Sequence, residues 1–512
     1  MESTPQFSTR QKIGYLIALP LFVLLLALPA PEGLAVGGWR VFAAAALMAV
    51  LWMTECIPIP VTALLPLVLF PFFGVNKFAD VAASYANSNI FLFMGGFFIA
   101  LTMQKWGLHR RIALRLIWLI GSSPRRIILG FMVATAFLSM WISNTATTVM
   151  MYPIGLAIIL HLMEETSQGG EHAERKKTDF RTALMLGIAY AASIGGITTL
   201  VGTPPNLVFV SAVSQLYPEA PEISFLDWFM VGLILLFLFL PICWFVLTRV
   251  AFKISAKKTP GGRALIREEI AKLGRMQREE KIVAVVFAVT ALAWITRKDL
   301  TLGETTIQGW VSLIGVSGFI HDATVAMLAA LVLFMTPSSF REGKFLLDWE
   351  TAVKIPWGIL LLFGGGIALA EGFKSSGLAV WIGGQLSLFG AVPLIVMILM
   401  ICLTLTFMTE LTSNLATTTL FMPILASTAI AIDVHPFLLM IPATISASCA
   451  FMLPVATPPN AIIFASGYVT IPQMARTGII LNLIGILLVT LITYFVVVPL
   501  FGVGSGPPVW AQ

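Results

Sequence analysis

The sequence predicts an all-α polytopic membrane protein, about eleven spans in two inverted halves, each half carrying a re-entrant hairpin and a discontinuous helix. Three observations predict it. The 512 residues are 58% hydrophobic and only 11% charged, with a mean hydropathy of +0.93, whereas soluble domains run about a quarter charged. A polar knot, Ser143-Asn144-Thr145, interrupts the apolar run Ala136 to Met151. An ungapped copy around Ser413-Asn414 follows 270 residues later, matching Asn144 with Asn414, Ala146 with Ala416, Thr147 with Thr417 and Pro153 with Pro423. Each knot is followed by a second shared motif, Gly202-Thr203-Pro204-Pro205-Asn206 and Ala456-Thr457-Pro458-Pro459-Asn460. These stand 254 apart, so the first half holds 16 extra residues between its motifs.

Composition also bounds the function. The net charge of +6 sits mostly in loops, where the preference for basic residues on the cytoplasmic side explains it better than nucleic-acid binding does. Cys56, Cys243, Cys402 and Cys449 lie in or beside apolar segments without a CxxC spacing, so each reads as a buried structural thiol. No cleavable signal peptide is evident: Met1 to Lys12 is polar, and the apolar run after it leads into more spans. No GxSxG, HExxH or P-loop is present, which leaves an intramembrane enzyme or an ATP-driven pump without support.

In chain order, Ile13 to Leu28 is the first span, and Arg10 and Lys12 before it place the N-terminus inside. Val41 to Thr54 and Val61 to Phe73 are apolar runs separated at Glu55 to Pro60, where Pro58 and Pro60 favour a break. Ile90 to Met103 follows, with Gly95-Gly96 at its centre. Lys105 to Arg126 spaces Leu108, Ile112, Ala113, Leu116 and Ile117 between basic residues, the pattern of a helix lying along the cytoplasmic surface.

Residues 127–163 are apolar except at the knot. Both flanks are basic, so the stretch enters and returns as a hairpin with the knot at its tip. Ala183 to Leu200 is a span that the double proline breaks, resuming from Leu207 to Val213; the broken helix covers about 183–213. Phe225 to Phe252 is a further span. Residues 253–281 form a basic cytoplasmic linker. The second half follows with spans at Ile282 to Ile295 and Ala323 to Met335, a glycine run at Gly364 to Gly366, a hairpin over about 391–432, a broken helix over about 437–467, and a last span from Ile479 to Leu500. The divisions are therefore 1–36, 37–252, 253–281 and 282–512. Five spans per half invert the second half against the first, and inverted repeats with matched broken helices mark a secondary transporter.

Hairpin tips and helix breaks expose unpaired backbone groups. Carbonyls, hydroxyls and amide oxygens suit a hard cation such as sodium; helix N-termini with Ser, Asn and Thr donors suit an anion. Neither motif contains Arg or Lys, so a dianion there lacks a fixed counter-ion unless bound cations supply it. The plain alternative is that these hydroxyls bond to their own helices and let helices pack, a reading that the second matched copy weakens.

The two Ser-Asn knots with their Thr-Pro-Pro-Asn partners, together with Trp52-Met53-Thr54-Glu55-Cys56-Ile57-Pro58, resemble the divalent anion:sodium symporter family over nearly the whole chain, Trp39 to Leu500. The resemblance implies a homodimer whose mobile part moves like an elevator, and sodium-coupled uptake of succinate, fumarate, malate or similar acids across the inner or plasma membrane. It implies one sodium site from Ser139, Ser143, Asn144 and the Gly202 carbonyl, and another from Thr409, Thr412, Asn414 and the Ala456 carbonyl. Substrate carboxylates would meet Ser143, Asn144, Thr145, Ser413, Asn414 and Thr457. Thr203, Pro204, Asn206, Pro458 and Asn460 complete the motifs without an assigned role. Leu415 departs from the family, where threonine is common. Glu410, ionisable at membrane depth, is a functional candidate or a hydrogen-bonded brace. Glu55 reads as interfacial, and His161, His321 and His435 form no metal cluster. The rivals are a sodium-independent dicarboxylate exchanger of the same fold and an anion channel.

The basic flanks give a direct test. Residues 105–126, 164–181 and 253–281 are expected on the cytoplasmic side and the C-terminus outside, so a cysteine placed at Lys176 should resist an impermeant maleimide applied from outside. Strong labelling would contradict the hairpin.

Overall fold

The computed structural model describes residues 8–121, 123–164, 171–254, 262–302, 305–339, 341–386, 392–504 and 506–511. Residues 165–170 and 255–261 of the expected basic connections, and 391 of the second hairpin, lie outside the described residues. Among those described, eight helices are long and apolar enough to cross a membrane by length and composition. One of the eight, Asn414–Ala431, is a hairpin arm. Shorter or more polar helices at Ile59–Phe72, Arg278–Ile295, Asp322–Met335 and Phe437–Ser446 stand where the other four of the eleven expected spans fall among the described residues. Two short antiparallel ribbons, Leu300–Leu302 with Thr305–Ile307 and Pro337–Ser339 with Lys344–Phe345, were not anticipated; both lie in connections between spans.

The duplication is carried into the secondary structure residue for residue. The first hairpin has arms Pro124–Ser139 and Asn144–Glu164, the second Leu394–Thr409 and Asn414–Ala431, so both arms start 270 residues apart. Gly107 and Gly377, also 270 apart, both sit in the left-handed region at φ +71° and +74°, where a side chain is strained, and each opens a helix, Leu108–Ile120 and Leu378–Leu386.

Contacts fix the direction of the first hairpin. Gly187 packs on Ile128 and Met132, and Gly195 on Ala136, so the arm Pro124–Ser139 runs parallel to the helix Glu171–Ile197. Gly196 touches Asn144 and Gly155 touches Ile188, so the other arm returns antiparallel. Its base therefore lies on the face where Arg125 and Arg126 gather, here called the basic face. The base of the second hairpin lies on the opposite face. There Tyr217 Oη donates to the Ala426 carbonyl at 3.1 Å, and Trp510 stacks edge-on against Tyr217 and His435.

Ion pairs staple the connections at both faces. On the basic face the buried pair Arg111–Glu280 ties the helix Leu108–Ile120 to the start of Arg278–Ile295. The hydrogen bond from Lys105 holds the Asp348 carboxyl down to about 2. On the opposite face Arg297, 3% exposed, bridges Asp322 at 2.6 Å and also pairs with Glu222.

Several boundaries shift. The expected surface helix over 105–126 is the shorter Leu108–Ile120, with an apolar side buried against the first hairpin. The first broken helix starts earlier, at Glu171, and stops at Ile197. The second differs more. Its first arm, Phe437–Ser446, ends well before the Pro454 expected from apolarity, and helix resumes only at Pro458. Non-helical backbone thus runs from 198 to 203 in the first break but from 447 to 457 in the second. Ala447 to Phe451 is apolar but for Ser448, so composition read it as span.

Candidate functional site

The two tips and the two breaks meet around one cavity of about 700 Å³. Ser143, Asn144, Thr145, Gly202, Thr203 and Pro204 line it from the first half, and Thr412, Ser413, Asn414, Ala456, Thr457 and Pro458 from the second. Arg10 and Glu55 line it too. They sit at the start of the helix Thr9–Ala27 and at the end of Val36–Thr54, helix ends that face the basic side, so the cavity is reached from there. Glu55, read as interfacial from the sequence, stands at this mouth, in a left-handed conformation at φ +51°.

Each tip is closed by the same clasp. Ser139 Oγ lies 2.6 Å from Asn144 Oδ1 and 2.7 Å from the Ala192 carbonyl. Thr409 Oγ1 lies 2.6 Å from Asn414 Oδ1 and 2.9 Å from the Ala447 carbonyl. One hydroxyl proton serves one acceptor at a time, so three oxygens gather at each clasp with a single proton among them. Ser139 and Thr409 are fully buried, behind the tips rather than on the cavity wall. Gly196 is glycine because a Cβ there would fall 2.3 Å from Asn144 Oδ1.

The motif asparagines close the breaks. Asn206 Nδ2 donates towards the carbonyls of Gly196, Ile197 and Thr199, the last at 2.7 Å. Asn460 Nδ2 donates to Ala450 and Leu453, both at 3.1 Å. Both side chains are fully buried, and Oδ1 of each has no protein partner among the described residues. The prolines do a different job. They occupy the first two positions of Pro204–Leu216 and Pro458–Ala465, positions whose amides have no intrahelical acceptor anyway. They start the helices and remove two donors. The hairpin helices keep their first-turn amides. Ser143 Oγ accepts from Ala146, and the Ser143 carbonyl accepts from Thr147.

The resulting chemistry is two-sided. At each knot the carbonyl end of one helix meets the amide end of another. Oxygens suited to a hard cation lie behind the tip, and donors suited to an anion lie in front. The oxygen-only clasps and the orphaned amide oxygens fit an alkali cation. Among the described residues no group of three or more His, Cys, Asp or Glu is gathered to hold a metal ion. Thr412 does not present its hydroxyl, which is engaged with the Met408 carbonyl at 2.8 Å and Thr417 Oγ1 at 2.7 Å.

Glu410 is a brace. Its carboxylate, 3% exposed, accepts from the amides of Phe451 (2.7 Å), Met452 (2.9 Å) and Leu453 (3.0 Å), and from Asn482 Nδ2 (2.7 Å). It thus holds the longer second break onto the second tip. Met140 stands at the matching position of the first half, where the shorter break instead sends Thr199 Oγ1 to the Met140 carbonyl. The sequence reading missed Asn482, although an asparagine inside the apolar run Ile479 to Leu500 was a visible signal. It also missed Trp141 beside the first tip, which stacks on Trp294 and meets Phe287 edge-on.

A cavity built from paired hairpin tips and broken helices and lined by hydroxyls and carbonyls is the architecture of a secondary transporter. The chain belongs to the family described as sodium:sulfate symporter transmembrane region, matched over residues 9–503. Its sequence is 43% identical over 503 residues to a sodium-dependent dicarboxylate transporter, SdcS, of Staphylococcus saprophyticus, covering 98% of this chain and 94% of that one. The SdcS of Staphylococcus aureus MRSA252 is also 43% identical, with the same coverage. The fold is shared with the YdaH transporter of Alcanivorax borkumensis (TM-score 0.54, 14% identity, 94% of this chain and 98% of that one). It is shared as well with Neisseria gonorrhoeae MtrF (TM-score 0.55, 12% identity, 99% and 98%).

The brace can be tested apart from transport. Glu410→Gln keeps the shape but leaves one carbonyl oxygen for four donors. Each charged hydrogen bond lost costs about 1.5–3 kcal/mol. Hydrogen exchange in detergent should speed up at the amides of 451–453 and stay unchanged at 198–203; unchanged exchange at 451–453 would show that the carboxylate does not hold the break.

Proposed function

We propose that this protein is a sodium-coupled symporter of C4-dicarboxylates such as succinate, fumarate and malate. The observation that carries the reading is the pair of matched oxygen clasps behind the tips of one cavity, whose only charged lining residues among those described, Arg10 and Glu55, stand at its mouth. The names of the SdcS relatives support the same coupling ion and substrate class. In this reading Ser139, Ser143, Asn144 and the Gly202 carbonyl hold one sodium ion, and Thr409, Asn414 and the carbonyls of Thr412 and Ala456 hold the other. Ser143, Asn144 and Thr145 receive one carboxylate. Ser413, Asn414 and Thr457 receive the second.

Each helix N-terminus offers about half a positive charge, too little to balance a dianion in a low-dielectric site. Sodium bound behind each tip supplies the remainder and fixes the tip through the asparagine that also faces the substrate. Coupling follows, because each asparagine belongs to a cation set and a carboxylate set at once. The basic face is cytoplasmic in this reading, so the cavity is in its inward-open, substrate-releasing state. The protein works as a homodimer in the plasma membrane, and the hairpins and broken helices travel together as the moving part.

Labelled succinate uptake into proteoliposomes tests this. Uptake should require an inward sodium gradient. Asn144→Ala and Asn414→Ala should each abolish it while the purified proteins keep a monodisperse elution profile. Near wild-type uptake in either variant would make that asparagine a packing residue. Rapid counterflow without sodium would favour the exchanger.

A further inference from the structure

The two ends of the cavity are matched at Ser143 with Ser413, Asn144 with Asn414 and Thr203 with Thr457, but not at the residue after each asparagine. There Thr145 stands exposed to the cavity, whereas its counterpart Leu415 presents an aliphatic side chain, 7% exposed, on the same wall. The other polar mismatch, Thr412 for Ile142, adds nothing to the cavity, because its hydroxyl is bonded to Met408 and Thr417. Among the described residues the first knot therefore brings one more hydroxyl to the cavity than the second.

We infer that Leu415 makes the binding site chemically one-ended, so that a dicarboxylate substituted on one carbon binds in a single orientation and one substituted on both is rejected. This rests on the dicarboxylate reading. A hydroxyl on the carbon next to a carboxylate meets Thr145 Oγ1 if it points to the first knot, where it can donate or accept. Pointed at the second knot it meets methyl groups and loses the hydrogen bonds it had in water. An apolar wall rejects an added hydroxyl by at most about a hundredfold. Succinate and fumarate have no such hydroxyl and fit either way round. Malate fits with its hydroxyl towards Thr145. Tartrate, hydroxylated on both inner carbons, always leaves one hydroxyl against Leu415.

Competition against labelled succinate in proteoliposomes under a sodium gradient reads this out as ratios within each protein. In the wild type, malate should compete comparably with unlabelled succinate, and tartrate about ten- to a hundredfold more weakly. Leu415→Thr should draw the tartrate-to-malate ratio towards one. Thr145→Leu should weaken malate relative to succinate by about tenfold. The wild-type series decides the matter even if a variant fails to fold, and Leu415→Ser offers a smaller replacement. Tartrate competing as well as malate in a protein that carries succinate would overturn the one-ended site alone; absence of sodium-driven succinate uptake in the wild type would overturn the dicarboxylate reading and this inference with it.

Discussion

A hairpin tip that stops halfway through a bilayer has no water to complete its backbone hydrogen bonds, and every feature of this site answers that constraint. The answer is the hydroxyl–asparagine clasp, Ser139 with Asn144 and Thr409 with Asn414, which ties each tip to a carbonyl of the neighbouring broken helix. The breaks in turn are held by asparagines that donate back into their own exposed carbonyls. Satisfying the donors in this way leaves an excess of acceptors. The carbonyl and amide oxygens concentrated behind the tips are what a cation needs, so in the proposed reading the structural solution and the coupling site use the same atoms.

The two halves solve the problem unequally. The first break is short, and the hydroxyl of Thr199 and the close approach of Gly196 seat it. The second break, 447 to 457, has more amides to satisfy, and a buried carboxylate does this where the first half has Met140. Glu410 and Asn482 therefore form a rigid seat for one tip that the other lacks. A charge kept at membrane depth needs several donors to remain there, and Glu410 has four.

Much of this was legible in the sequence because duplication makes a weak polar signal specific. Ser143-Asn144 alone resembles any polar pair in a span, whereas two copies at a fixed offset, each followed by Thr-Pro-Pro-Asn, define two tips and two breaks. Arrangement in space was less legible. Phe437 to Pro454 is apolar throughout its first part, and apolarity does not distinguish helix from braced extended backbone. Glu410 carried no hint of its partners, since those are main-chain amides. Glu55 looked interfacial because its distance from the cavity depends on how Val36–Thr54 meets the second hairpin.

In the proposed mechanism sodium completes a site whose hairpin tips carry no basic residue, so cation and substrate bind as one unit. Binding linkage then requires sodium to tighten succinate and succinate to tighten sodium by the same factor. The direct measurement is succinate affinity of the purified protein by calorimetry across a range of sodium concentrations, with choline holding ionic strength constant. The account predicts a dissociation constant that falls steadily as sodium rises. A dissociation constant that does not change with sodium would contradict it.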